Sequence, residues 1–305
     1  MRILRTLAFC AALGGLAMAV PAEAATKVSI AYVPVADFTP TFVAKDQGFF
    51  DRNGLDADVV SIPLAPMVPA GIVSGSVQIG MTTPPIFLQA VQNGLDLQVV
   101  SALSWETKER PQMSLVVRKG SGLKDGKSFE GKKVAVPGLQ SLADLTTREW
   151  LKKHGADISK ISFVEVAMPQ LVDVLKAGTV VAIAAIEPVG SAAVASGAGD
   201  FVAHQLVDLK DGAVLTFWIA SGDWTKANPQ AVKGFRDAMD QATAWIGDHP
   251  DEAKKIAAKY IKREPATFPT WKTKLTPADL AFHEGVASDL GFLNSKVDVS
   301  GRILP

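Results

Sequence analysis

Cysteine is almost missing: Cys10 is the single one in 305 residues, and it lies inside the first apolar run. Without that segment the chain has no thiol, which excludes disulfides, zinc–thiolate sites and cysteine nucleophiles. Phe9 stands where a lipoprotein leader needs a small residue, so lipidation of Cys10 is not expected. Histidine is scarce too. His154, His204, His249 and His283 show no ligand spacing, and no Gly-x-Ser-x-Gly elbow occurs. The sequence therefore predicts no metal site, no cofactor and no catalytic residue. Charge of one sign is also lacking: 31 Lys and Arg balance 31 Asp and Glu. Neither nucleic acid nor an anionic membrane surface is indicated as a partner. Beyond the first two dozen residues no apolar run approaches the length of a membrane span.

What is present begins with those first residues. Arg2 and Arg5 precede an almost wholly apolar Leu7–Val20, followed by the small-x-small pattern Pro21-Ala22-Glu23-Ala24. This is the pattern of a secretory signal peptide over residues 1–24, cut after Ala24. Its removal takes away two arginines and one glutamate and shifts the formal charge from zero to −1. The rest, 48% hydrophobic overall, is long enough for a large core in two domains.

Strand and helix patterns alternate through the first two thirds. Lys27–Val33, Ala57–Ile62, Val77–Gly80, Leu97–Ala102, Met113–Arg118, Lys133–Val136, Ser162–Val166, Ala182–Ile186 and Phe201–Gln205 read as strands. Between them, helices are predicted over Thr39–Phe50, Met67–Gly75, Pro84–Asn93, Leu142–His154, Pro169–Ala177 and Val189–Ser196. Such alternation implies an α/β fold with mostly parallel sheets and helices on both faces. After a strand at Val214–Ile219 the pattern becomes helical, with starts at Asn228-Pro229, Pro250 and Thr276-Pro277. "SWETKERPQM" (Ser104–Met113) and "DLKDGAV" (Asp208–Val214) interrupt the periodicity. Two interruptions predict two crossings between lobes: lobe I from 25–111 and 214–305, lobe II from 112–213. The cleft between them would take a ligand at the carboxyl ends of the strands.

Four segments carry a resemblance: "FVAKDQGFFDRNGLDADVV" (Phe42–Val60), "SGSVQIGMTTPPIFLQAVQNGLDLQVV" (Ser74–Val100), "FEGKKVAVPGLQSLADLTTREWLKKHG" (Phe129–Gly155) and "LKAGTVVAIAAIEPV" (Leu175–Val189). In this order they resemble the periplasmic substrate-binding proteins of ABC importers for sulfonates, taurine, nitrate and thiamine-related pyrimidines. The resemblance implies a two-lobed periplasmic-binding-protein fold and a monomer that captures a small solute by hinge closure. It also implies delivery to a membrane permease with its ATPase subunit. The first segment reads as scaffold: Gly48 ends a helix, Phe49 and Phe50 pack its end, and Gly54 turns the chain into a strand.

The resemblance also directs attention to loops at the cleft. Phe38, after the first strand, either walls in a ligand or staples the start of a helix. The neighbouring Asp37 accepts from an amine or, as the plainer reading, caps that helix. Thr82 and Thr83 in "MTTPP" offer hydroxyls at a helix start that would attract an oxyanion, or form a plain cap. Gly138, Gln140 and Ser141 in "VPGLQSLADL" are the counterpart in lobe II. Glu187 in "AIEPV" bonds the ligand or braces the lobes, and an acid there argues against a purely anionic ligand. Trp105 and Trp218 either stack on a flat ligand or pack in the core.

A solute binder for a sulfonate, taurine-like or other organic anion is the favoured expectation. A thiamine-related pyrimidine or an aromatic acid is the alternative. A pyrimidine-synthesising enzyme and a periplasmic sensor partner are more remote, the enzyme because its branch carries a cysteine-rich motif.

Overall fold

The computed structural model describes residues 24–305; the leader expected before them, with Cys10, lies outside the described residues. The first lobe opens with β1 (Thr26–Tyr32), α1 (Thr39–Asp46), α2 (Phe49–Arg52), β2 (Leu55–Ser61), α3 (Val68–Val73), β3 (Ile79–Thr82), α4 (Pro84–Gln92) and β4 (Leu97–Glu106). The chain then builds β5 (Met113–Arg118), β6 (Lys133–Val136), α5 (Leu142–Lys153), β7 (Ser162–Glu165), α6 (Leu171–Lys176), β8 (Ala182–Ile186), α7 (Val189–Ala195), β9 (Gly199–Ala203) and α8 (Gln205–Leu209). It returns through β10 (Ala213–Ser221), α9 (Gly222–Ala227), α10 (Pro229–Asp248), α11 (Pro250–Ile261), β11 (Thr270–Trp271) and α12 (Pro277–Asp289).

These elements form two sheets flanked by helices, with strand orders β11-β4-β10-β3-β1-β2 and β7-β6-β8-β5-β9. Strand directions are mixed rather than mostly parallel. The pairs β1–β2, β1–β3, β6–β7 and β6–β8 are parallel, as crossover helices require. In the first sheet β10 runs antiparallel to both β3 and β4, and in the second β5 runs antiparallel to both β8 and β9. The chain leaves the first sheet on β4, enters the second on β5, and returns on β10. Strands that carry it between lobes enter each sheet against the local direction, which helix-and-strand alternation does not reveal.

Local chemistry explains the boundaries. Gly48 and Gly54 both adopt positive φ, at 69° and 75°, so α1 stops ahead of the "GFFDRNG" stretch, which forms a four-residue α2 and a turn. Asn53 donates to the Phe49 carbonyl (2.7 Å), and Phe50 stacks on Phe235 of α10 at 6.0 Å. In the last third, prolines occupy the first turn of α10, α11 and α12. At α12 the Thr276 backbone N–H and hydroxyl both donate to Asp279, at 2.8 and 2.7 Å. The charged stretch after Leu103 is not wholly a break. Strand β4 continues to Glu106 because β10 pairs Ala213 with Glu106, and β11 pairs Thr270 with Trp105. Two crossings follow, over residues 107–112 and 210–212. The larger cluster of buried apolar side chains includes residues of both sheets, so the lobes meet through apolar contact.

Candidate functional site

Behind β1 the chain passes through Val33–Phe38 before α1 begins. Asp37 does not cap α1; at 1% exposure it turns inward. One oxygen accepts the Ser104 hydroxyl at 2.5 Å and lies 3.4 Å from the Thr216 hydroxyl. Ser104 and Thr216 face each other across β4 and β10, with hydroxyls 2.5 Å apart. The other Asp37 oxygen is buried without a partner. Burial pushes this carboxyl up to about 6, against the pull of the two hydroxyls. Trp271 secures the loop by donating to the Asp37 carbonyl at 2.9 Å.

Thr216 also reaches the space between the sheets. Val35, Met81 and Leu215 line that space from the first lobe, and Leu142, Met168 and Ile186 from the second. Its polar contributions are the hydroxyl-bearing Thr83, Ser141 and Thr216, and among the described residues no lysine or arginine lines it. The enclosed volume is only ≈ 30 Å³, room for a water or two.

The residues singled out in the sequence are distributed unevenly around this cavity. Thr83 and Ser141 line it from opposite lobes. Thr83 is the N-cap position of α4, and its hydroxyl, buried, has no hydrogen-bond partner. Thr82 is fully buried one residue behind. Phe38 and Trp218 are fully buried as well, edge to face at 5.3 Å, with Trp218 also against Phe235 at 5.5 Å. They form the packed backing of the first lobe, each aromatic pair contributing roughly 0.5–1.5 kcal/mol beyond burial. Trp105 stands at the β11 side, its indole N–H on the Lys272 carbonyl at 3.3 Å and the Lys272 ammonium 5.0 Å from its ring.

Gly138 has φ +145°, and a Cβ there would come 3.0 Å from Pro66 of the other lobe. Gln140, exposed with φ 61°, presents its carbonyl to Gln89 at 3.2 Å. Glu187 lies at the seam. Its backbone carbonyl accepts from Ala36 of the other lobe at 3.2 Å, and its N–H donates to Gln112 at 2.9 Å. The side chain, raised from its ordinary carboxylate range by burial, turns to the start of α7 and accepts the Ser191 N–H at 3.1 Å.

The helix starts hold less free positive potential than the sequence suggests. Pro84 and Pro85 occupy the first positions of α4 and remove two N–H groups. At α5 the buried Asp144 already takes the Gln140 N–H at 2.8 Å, while Ser141 caps the Asp144 N–H at 3.5 Å. Sequence reasoning missed the Asp37–Ser104–Thr216 cluster and the apolar lining. A hydroxyl isolated within the apolar run Val214–Ile219 was the available signal for Thr216. Among the described residues no group of three His, Cys, Asp or Glu could hold a metal ion.

Solved structures share this two-lobed architecture. The alkanesulfonate-binding protein SsuA of Xanthomonas axonopodis pv. citri, bound to MOPS, aligns with TM-score 0.78 at 19% identity, covering 93% of this chain and 99% of that one. The periplasmic nitrate-binding protein NrtA of Synechocystis PCC 6803 aligns with TM-score 0.75 at 16% identity, covering 90% and 85%. In sequence, a Haemophilus influenzae protein named for thiamine biosynthesis is 26% identical over 279 residues, covering 86% of this chain and 83% of its own length. The family model described as NMT1/THI5-like matches residues 35–253, more than half of the sequence, and the chain belongs to that family.

Proposed function

We propose that this protein is the periplasmic solute-binding component of an ABC importer, a monomer that delivers its solute to a permease and its ATPase subunit. The two sheets joined by two short crossings support a hinge that opens and closes a cleft. The likeness to sulfonate- and nitrate-binding proteins and the leader-like start of the sequence support the same reading. In it, lobe I is 25–111 with 214–305, and lobe II is 112–213. The solute departs unaltered, so no catalytic residue is required.

For the solute, the chemistry of this cleft suits an amine-bearing planar heterocycle of the thiamine-pyrimidine type better than a simple anion, and at ≈ 30 Å³ the cavity admits such a ring only when the lobes part. One observation carries this: the inner cavity is apolar and free of cations, and the ionisable group hydrogen-bonded to its wall is the acid Asp37, behind Thr216. A buried anion without a cation or free N–H groups is costly, whereas an amine finds acceptors here. The relative named for thiamine biosynthesis supports the same class. We place Thr83, Ser141 and Thr216 in contact with the solute. Phe38, Thr82 and Trp218 shape the wall from behind, Gln140 stands at its rim, Trp105 packs away from it at the β11 side, and Gly138 and Glu187 set how the lobes meet.

A thermal-shift panel of aminopyrimidines, aromatic acids, alkanesulfonates and nitrate tests the assignment. A solute at a hundred times its Kd adds about 2.7 kcal/mol to folding stability, so the expected result is a clear rise in Tm with aminopyrimidines. A shift with sulfonates or nitrate and none with aminopyrimidines would reverse the assignment.

A further inference from the structure

A second, larger compartment opens beside the inner cavity, ≈ 630 Å³ in volume and also lined by both lobes. Met168 lines both spaces, and Val33 of the inner wall is followed directly by Pro34 of the outer one, so the two are neighbours across a thin wall that opening of the lobes would part. Their chemistry differs. The outer wall carries Lys176 at the end of α6 on one lobe, and Lys259, Lys262 and Arg263 at and after the end of α11 on the other.

Lys259 is neutralised by Asp46 at 2.7 Å, and Asp173 is the acid on the same wall. Lys262 donates to the Lys259 carbonyl at 2.8 Å, which holds its ammonium at the rim without cancelling its charge. Lys176 and Arg263 enter none of the ion pairs among the described residues. Three cations against one acid is a local excess in a chain whose total charge is zero. Cations on the walls of a concave space raise the local concentration of anions there. Tyr32 and Ser61 add hydroxyls from the ends of β1 and β2.

We infer that this outer compartment is an oxyanion subsite: it takes a carboxylate, sulfonate or phosphate carried by a solute whose uncharged or amine-bearing end enters the inner cavity. The inference rests on the inner cavity being the solute site. Because Lys176 and Arg263 belong to different lobes, one anion between them draws the lobes together, which links capture to closure.

The experiment compares the wild type with the Lys176→Ala/Arg263→Ala double variant, whose altered side chains are exposed, by calorimetric titration at low and moderate salt. The probes are aminopyrimidine, aminopyrimidine carboxylate, inorganic phosphate and sulfate. The carboxylate is expected to bind about tenfold more tightly than the parent amine, the sum of two exposed ion pairs, and that gain disappears in the double variant while the parent amine binds unchanged. Equal binding of the two probes, or a gain that survives in the double variant, overturns the inference. If neither heterocycle binds, the solute assignment fails by itself and the inorganic anions decide the subsite. Salt-sensitive phosphate or sulfate binding that the double variant loses upholds it, and no binding to the wild type overturns it.

Discussion

The Glu106 carboxylate accepts the backbone N–H of Gln112 on both of its oxygens, at 3.1 and 3.2 Å. It also takes the N–H of Met113 at 3.3 Å, while the Glu106 carbonyl accepts from Gly212 at 3.0 Å. One fully buried residue thus ties together the chain segments that cross in each direction. Burial, aided by the charges of Asp37 and Asp208, pushes Glu106 up to about 8 despite the two N–H donors. A carboxyl raised in the folded state favours folding below its unfolded value near 4.5, and that advantage is lost as pH rises through about 8. Urea titrations between pH 5 and 9 are therefore expected to show Glu106→Gln overtaking the wild type at the alkaline end. Parallel pH profiles for the two proteins would refute this.

Asp37 has the same sign over a lower window. Its unfolded value is 3.8 and its folded value about 6, so its charge costs stability as pH rises through that interval. Asp37→Asn keeps an acceptor for Ser104 and is expected to be more stable at pH 8 by roughly 2–3 kcal/mol. The same change, and Thr216→Val, should weaken solute binding by about tenfold, since the first removes the negative charge behind the cavity and the second the hydroxyl that bridges to it. Denaturation and titration calorimetry on the same samples test whether stability and affinity move in opposite directions.

Thr82 and Thr83 should separate cleanly. Thr83 lines the cavity with an unpartnered hydroxyl, and Thr82 is buried behind it. Thr83→Val is expected to weaken binding about fivefold, and Thr82→Val to leave affinity unchanged. The reverse order would place the solute on the other side of β3.

Gly138→Ala places a methyl group 3.0 Å from Pro66 at φ +145°, a conformation that L side chains rarely adopt. Pro66 must then give by a few tenths of an ångström at that contact, against closure of the lobes. Titration calorimetry is expected to show an affinity loss of about tenfold. Unchanged affinity would mean that the Pro66 contact does not limit closure.

His283 gives a pH response of opposite sign to Glu106. It is fully buried, and burial pushes it from 6.5 down to about 3. The unfolded chain binds the proton first, so stability is complete above pH 6.5 and falls as pH drops toward 3. His283→Leu should remove roughly 2 kcal/mol of acid sensitivity between pH 7 and 4.5, measured as the change in urea midpoint.

The sequence by itself determined the class of fold. Apolar runs, glycines with positive φ such as Gly48 and Gly54, and prolines at helix starts are local signals, and they located most elements to within a few residues. It also led to the loops that meet at the cleft, because Thr83 and Ser141 each sit between a strand end and a helix start. Only the tertiary structure decided which side chains face the cavity. Trp218 and Phe38 carry the same chemistry whether exposed to a solute or sealed in a core, and packing alone enclosed them. The short α8, α9 and β11 were invisible for a related reason: β11 exists because β4 offers it an edge, not because Thr270 and Trp271 form a pattern. Electrostatics followed the same rule. Asp37, Ser104 and Thr216 lie up to 179 positions apart, so no local reading brings them together, yet their contact sets the charge behind the cavity. Burial and long-range contact belong to the folded chain as a whole, and a side chain's role at a site depends on both.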